Sequence, residues 1–262
     1  MSASIITFAN LGKKTNLPTA DILPAIRVLA DHADLHQVIC QINTGFYFPN
    51  TESAVPAIVR YPLRIFERIS GISIPRAFIE RLFDFFAARK LEPAQVCFLH
   101  GVLPETLRAA RRNGAITVEE ARTAHVGKNA ALEKEEMALL GLGDYQTLYF
   151  TRRFEASENE ETARYVIAMS DFVKESYIEA GFPGDRIFVA APDIDTARFS
   201  PSFGSAEEIS IFRVLYVAYS QPLKGLHYLL DAWHELRLSD AELVIVGDFS
   251  ILPPALRKRY ED

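Results

Sequence analysis

Apolar residues along the chain fall into short runs separated by segments of helical spacing. Strands are predicted at residues 5–9, 37–42, 95–99, 115–118, 165–169, 187–190, 213–217 and 243–246. These runs are rich in Val and Ile and mostly do not alternate with polar residues, which is the pattern of parallel strands covered on both faces. Helical stretches lie between most of them. Residues 104–113 open on a proline and stop at Gly114. Residues 129–140 carry Leu132, Glu136 and Leu139 at helical spacing before Gly141. Residues 171–180 begin with a capping Asp after Ser170 and stop at Gly181. Residues 222–236 place Leu226, Leu229, Leu230, Trp233 and Leu236 along one face. Strand and helix in alternation predict an open, doubly wound α/β sheet.

The segment PDIDTARFSPSFGSAEEIS is rich in Pro, Ser, Gly and charge, as an interdomain linker should be. Residues 1–191 are therefore expected to form an N-terminal Rossmann-like domain, 192–210 a linker, and 211–262 a second unit. The second unit holds two strands and one full helix, too little for a sheet core of its own. It is expected either to be an incomplete domain or to extend the first sheet.

Composition narrows the function classes. The chain is 49% hydrophobic and 24% charged, ordinary for a globular enzyme, and its net charge of -6 disfavours nucleic acid as a partner. Cys40 and Cys97 lie singly in apolar runs and are expected to be reduced core residues, which suits a cytoplasmic protein. Neither belongs to a CxxC pair, so a thiolate metal site is not expected. The start, MSASIITFANLGKK, reads as a first strand and lacks the features of a signal peptide. No apolar run reaches the roughly 18 residues needed to span a bilayer.

Residues 56–90 stand apart. Arg60, Arg64, Arg68, Arg76, Arg81 and Arg89 are interleaved with Tyr61, Phe66, Phe78, Phe83, Phe85 and Phe86, and helical spacing puts the first three arginines on one face. One reading is a helix pair that packs its aromatics inward and leaves its arginines in solvent. The other is a basic amphipathic patch that touches an anionic bilayer or a lipid-linked acceptor.

The series FDFFAARK, VCFLHG, LRAARRNGA, TAHVGKNAALEKEEMALLG and YVIAMSDFVKESYIEAGFPGDRIFVAAPDIDTARFSP, followed by VLYVAYSQPLKGLHYLLDAWHEL and AELVIVGD, resembles glycosyltransferase family 4. The resemblance implies a GT-B-like fold: one complete Rossmann-like domain and the start of a second. It implies retaining transfer of a hexosyl group from a nucleotide-diphosphate sugar to a glycan or lipid-linked acceptor, without a metal or other cofactor. Fixed cations and helix N-termini would neutralise the departing diphosphate. Within the match, Lys224 stands at the K-G step as a phosphate ligand, or as a solvated lysine beside a turn glycine. Gly225 would allow close backbone approach. His125 in TAHVGKN would orient the donor sugar, or cap the following helix. His100 follows an apolar strand, where ligands bind, or is structural beside Gly101. Ser170 stands at the same kind of edge, or simply caps its helix.

The chain also departs from the family pattern. After the first strand, ANLGKKTN offers only Gly12 where a glycine-rich turn is usual, and GKKT lacks the first glycine of a P-loop. No arginine precedes the K-G step. Asp193 and Asp195 mimic a metal-binding DxD but read as a linker turn. No glutamate has another eight positions on, so the family's E-x7-E pair is missing. The chain is therefore expected to be inactive alone. The alternative is a non-catalytic relative that binds a partner, such as a separate chain completing the second domain.

Overall fold

The computed structural model describes residues 1–12, 22–44, 48, 50–101, 103–142, 163–192, 211–218, 224–247 and 257–258. The linker aspartates 193 and 195, the rest of GKKT beyond Gly12, and Pro222 lie outside them. The chain divides into two units, Met1–Lys128 with Ser157–Asp193, and Asn129–Ala156 with Ile194–Asp262.

The first unit is built on seven strands: β1 (Ser2–Gly12), β2 (Asp34–Thr44), β3 (Thr51–Ser53), β4 (Val96–His100), β5 (Ile116–Ala121), β6 (Tyr165–Ala168) and β7 (Ile187–Val189). Their order is β3-β2-β1-β4-β5-β6-β7, and every pairing is parallel. Helices α1 (Leu23–His32), α2 (Ala57–Ser70), α3 (Arg76–Lys90), α4 (Pro104–Arg112) and α6 (Asp171–Glu179) connect them.

Successive side chains of a strand point to opposite faces, and here both faces are covered. Ile6, Ile39, Cys97 and Leu99 join Phe83 and Ala87 of α3 and Leu107 of α4 in one core. Their strand neighbours Ile5, Val38, Cys40 and Phe98 join Ile22 and Ile26 in another, on the α1 side. Burial pushes the Cys40 and Cys97 thiols up to about 12, so both behave as small apolar core residues.

The second unit holds a parallel pair, β8 (Phe212–Val217) and β9 (Ala241–Val246), with α7 (Leu226–Leu236). Leu226 is fully buried among Leu140, Leu142, Tyr216, Leu229, Leu230 and Ile245. Helix α5 (Val126–Leu139) runs across the boundary between the two stretches of chain.

All eight expected strands are present within a few residues of their expected bounds. One strand was missed, β3, whose sequence TES carries no apolar signal and which pairs with Val38–Cys40. Helix α7 starts at Leu226 because Gly225 adopts φ +69°, a left-handed conformation that cannot belong to a right-handed helix. The helix pair expected in 56–90 forms, but its aromatics do not all turn inward. Phe83 is buried, whereas Phe66, Phe78 and Phe85 are exposed, and α2 buries no residue at all. No helix among the described residues is long and apolar enough to cross a membrane.

Candidate functional site

The chain runs from β1 to β2 and β3 on one side, then returns to place β4 on the other side of β1. The strand order thus reverses between β1 and β4, and a crevice opens outside the carboxyl ends of strands at such a switch point. His100 is the last residue of β4, and its register partner on β1 is Thr7. The pairing of β1 with β2 is irregular between Thr7 and Asn10, so the backbone is reshaped at this spot.

The His100 ring is held from both ends. Nδ1 lies 2.7 Å from Thr7 Oγ1. Nε2 lies 3.2 Å from an Arg122 guanidinium nitrogen and 3.3 Å from Glu120 Oε2. A guanidinium only donates and a carboxylate only accepts, so the two compete for Nε2. With Arg122 donating, the ring is neutral, and Nδ1–H donates to Thr7. With the proton on Nε2, on the side of Glu120, Nδ1 accepts the Thr7 hydroxyl and the ring is again neutral. The arrangement is a buried imidazole held between two tautomers at the sheet's carboxyl edge. The sequence pattern marks His100 as a candidate but gives no sign of its neighbours Thr7, Glu120 and Arg122. Their signal lay in the strand register, which juxtaposes residues far apart in the chain.

Gly12 at the end of β1 and Ser170, two positions past β6, stand at the same edge of the sheet. Ser170 caps α6, its Oγ accepting the Val173 N–H at 3.3 Å. His125, four positions past β5, is drawn to α6. Its backbone N–H donates to Ser176 Oγ at 2.8 Å, and its ring meets Tyr177 edge-on at 5.2 Å between centroids. Its Nδ1 accepts the Gly127 N–H at 3.3 Å, so the ring caps α5. Burial lowers its pKa and favours the neutral ring. His125 also lines a cavity of about 520 Å³ with Arg111, Arg164, Tyr177, Phe182 and Arg186.

In the second unit, Lys224 is exposed, and its carbonyl accepts the Tyr216 hydroxyl at 3.2 Å. Gly225 occupies the N-cap of α7, and no side chain caps that helix start. The helix begins with donors that an anion could satisfy.

No protein-family model matches the chain, and no curated protein matches it. Solved structures do. The chain is similar to HepE of Anabaena in complex with UDP-glucose, with a TM-score of 0.53 and 15% identity, covering 99% of this chain and 63% of that one. The HepE complex with UDP and glucose gives 0.52 at 15% identity, covering 95% and 61%. The complex with UDP gives 0.51 at 13%, covering 99% and 63%. The chain thus spans less than two thirds of HepE's length. At these identities the likeness is one of fold, and with the seven-stranded parallel sheet it shows the GT-B-like α/β architecture that the sequence pattern implied.

Proposed function

We propose that this chain serves hexosyl transfer from a nucleotide-diphosphate sugar to a glycan or lipid-linked acceptor, with retention at the anomeric carbon. The observation that carries the reading is His100 at the β1–β4 switch point, buried and hydrogen-bonded to Thr7. In the transfer, the bond from the anomeric carbon to the β-phosphate oxygen breaks, one to an acceptor oxygen forms, and the acceptor's hydroxyl proton passes to the departing phosphate oxygen. The departing diphosphate gains negative charge. Lys224 and the uncapped N-terminus of α7 are suited to neutralise it without a metal. Gly12, Ser170 and His125 remain donor-side candidates, each beside the structural role described above. HepE, a solved protein of similar fold, holds UDP-glucose. Because the chain spans only part of that protein's length, the reading concerns donor contacts made by these residues. Two free, buried cysteines suit a reducing, cytoplasmic setting.

Titration of the isotope-labelled chain with UDP-glucose and with UDP, followed residue by residue by NMR, tests the reading. The expected result is movement of the Gly225, Leu226 and His227 amides with the diphosphate and of the His100 ring with the sugar. A spectrum unchanged at millimolar nucleotide at both places would sink it.

A second reading has its own support. Among the described residues β8 and β9 pair only with each other, and Phe212, Leu215, Val217 and Val246 are all more than half exposed. A two-stranded sheet with that much open apolar surface suits a binding role, its partner a separate chain. Stoichiometric capture of such a chain, with no nucleotide response, would favour this reading.

A further inference from the structure

We infer that α2 lies flat in the surface of an anionic phospholipid bilayer, with its isoleucine face inserted among the acyl chains. The inference stands apart from the transferase reading, because it uses only the surface of α2 and its surroundings. The helix sequence AIVRYPLRIFERIS segregates sharply at 3.6 residues per turn. Ile58, Ile65 and Ile69 fall on one side with Tyr61, Pro62 and Phe66 flanking them, while Arg60, Arg64, Glu67 and Arg68 fall on the other.

In a surface helix of a globular protein the apolar side faces the core. Here it faces out. Ile58 is 83% exposed and Ile69 81%, and Ile65, Phe66 and Tyr61 are each more than half exposed. Val59, next to this face, is what packs against the core. Ile72, just past the helix, extends the open patch at 61%. Scattered exposed apolar residues are ordinary, but a whole helix face is not.

The charge around the face selects the occupant. The chain as a whole is acidic at -6, yet residues 56–90 carry seven basic against three acidic side chains. Arg64 and Arg68 are exposed, and no ion pair joins either to a described residue. A convex helix with isoleucines on one side and guanidiniums beside them matches a bilayer interface, where headgroup phosphates meet the arginines. A protein groove for the same helix would need apolar walls with an acidic rim placed to match, whereas an anionic bilayer offers both layers along its whole surface.

The full chain is mixed with phosphatidylcholine vesicles, with or without about one quarter phosphatidylglycerol, and the bound fraction is read by flotation. Binding to the mixed vesicles is expected, much weaker binding to phosphatidylcholine alone, and partial release in about 0.5 M salt. Ile58→Ser with Ile65→Ser and Ile69→Ser should keep the circular dichroism spectrum and lower partitioning about tenfold or more. Arg64→Gln with Arg68→Gln should weaken binding to mixed vesicles only. No binding of the wild-type chain, or equal binding by the isoleucine variant, would overturn the inference. Self-association in vesicle-free buffer that the isoleucine changes abolish, without vesicle binding, would overturn it too and give the face to a second copy.

Discussion

Glu136 Oε1 lies 2.7 Å from His227 Nε2, and the other oxygen of the same carboxylate accepts the Tyr228 hydroxyl at 3.0 Å. One side chain of α5 thus ties down the first turn of α7, 91 positions later. His227 is fully buried. The hydrogen bond to Glu136, which only the protonated phenol can donate, also holds Tyr228 above its ordinary pKa.

Glu136→Ala removes the acceptor from both α7 side chains. The expected cost is about 2 kcal/mol, since a buried polar group loses its partner. Glu136→Gln keeps one acceptor and should cost less. Trp233, the only tryptophan in the chain, lies within α7, so its fluorescence during urea unfolding reports the change directly. Equal midpoints for all three proteins would mean that the pair contributes nothing.

A second tertiary cap stabilises α4. Asp84 of α3 accepts the backbone N–H of Glu105 at 2.8 Å and of Thr106 at 2.9 Å, and the Thr106 hydroxyl at 2.7 Å. Burial nonetheless outweighs these donors and raises the Asp84 pKa above 3.8. For an acid whose pKa is raised on folding, the folded state holds the proton more tightly. Stability then falls as pH rises from the unfolded pKa through the folded one. Asp84→Asn should flatten that segment of the stability profile. It should also cost about 2 kcal/mol at neutral pH, because its NH2 faces a backbone N–H. Urea midpoints taken across the acidic range check both.

Most of the sheet was legible because every strand but the short β3 contains a Val- and Ile-rich apolar run, and such runs leave few other choices. The helix faces were less so. Leu132 and Leu139 share a stripe with Glu136 in the sequence, which suggests an inward apolar face, but Leu139 is 72% exposed and Glu136 is the residue that makes the tertiary contact. Likewise α2 has the amphipathic pattern of a packed helix and presents it to solvent, a choice that depends on what the rest of the chain leaves uncovered. His100 was named as a candidate because it follows an apolar strand, and His125 because TAHVGKN resembles the family pattern. The partners that set their chemistry were not, since Thr7, Arg122 and Ser176 acquire meaning only through register and packing.

Burial depresses the His125 pKa below 6.5. For a base whose pKa falls on folding, the unfolded chain binds more protons, so this contribution is fully present above 6.5 and is lost as pH drops through the folded value. His125→Gln should remove that acid-side slope while keeping a polar side chain beside Gly127. The wild-type slope surviving in the variant would show that another group titrates. Histidine proton resonances followed against pH give the same answer site by site.

Gly225 and the adjacent Lys224 separate a backbone requirement from a chemical one. A Cβ at Gly225 would meet Tyr228 Cδ2 at 3.9 Å, an ordinary contact, so space is not what demands glycine there. The demand is φ +69°, which an L side chain adopts at a cost of about 1 kcal/mol. Gly225→Ala should therefore lower stability by about that much and disturb the start of α7. Lys224 contributes to the fold through its carbonyl, which survives substitution, and its exposed side chain holds no described partner. Lys224→Ala should leave the urea midpoint within about 0.5 kcal/mol of wild type. The same change should diminish the UDP-dependent shifts at the α7 amides if the ammonium meets a diphosphate. Shifts undiminished in Lys224→Ala would remove this residue from the donor site while leaving the His100 end of the reading to be judged by its own response to the sugar.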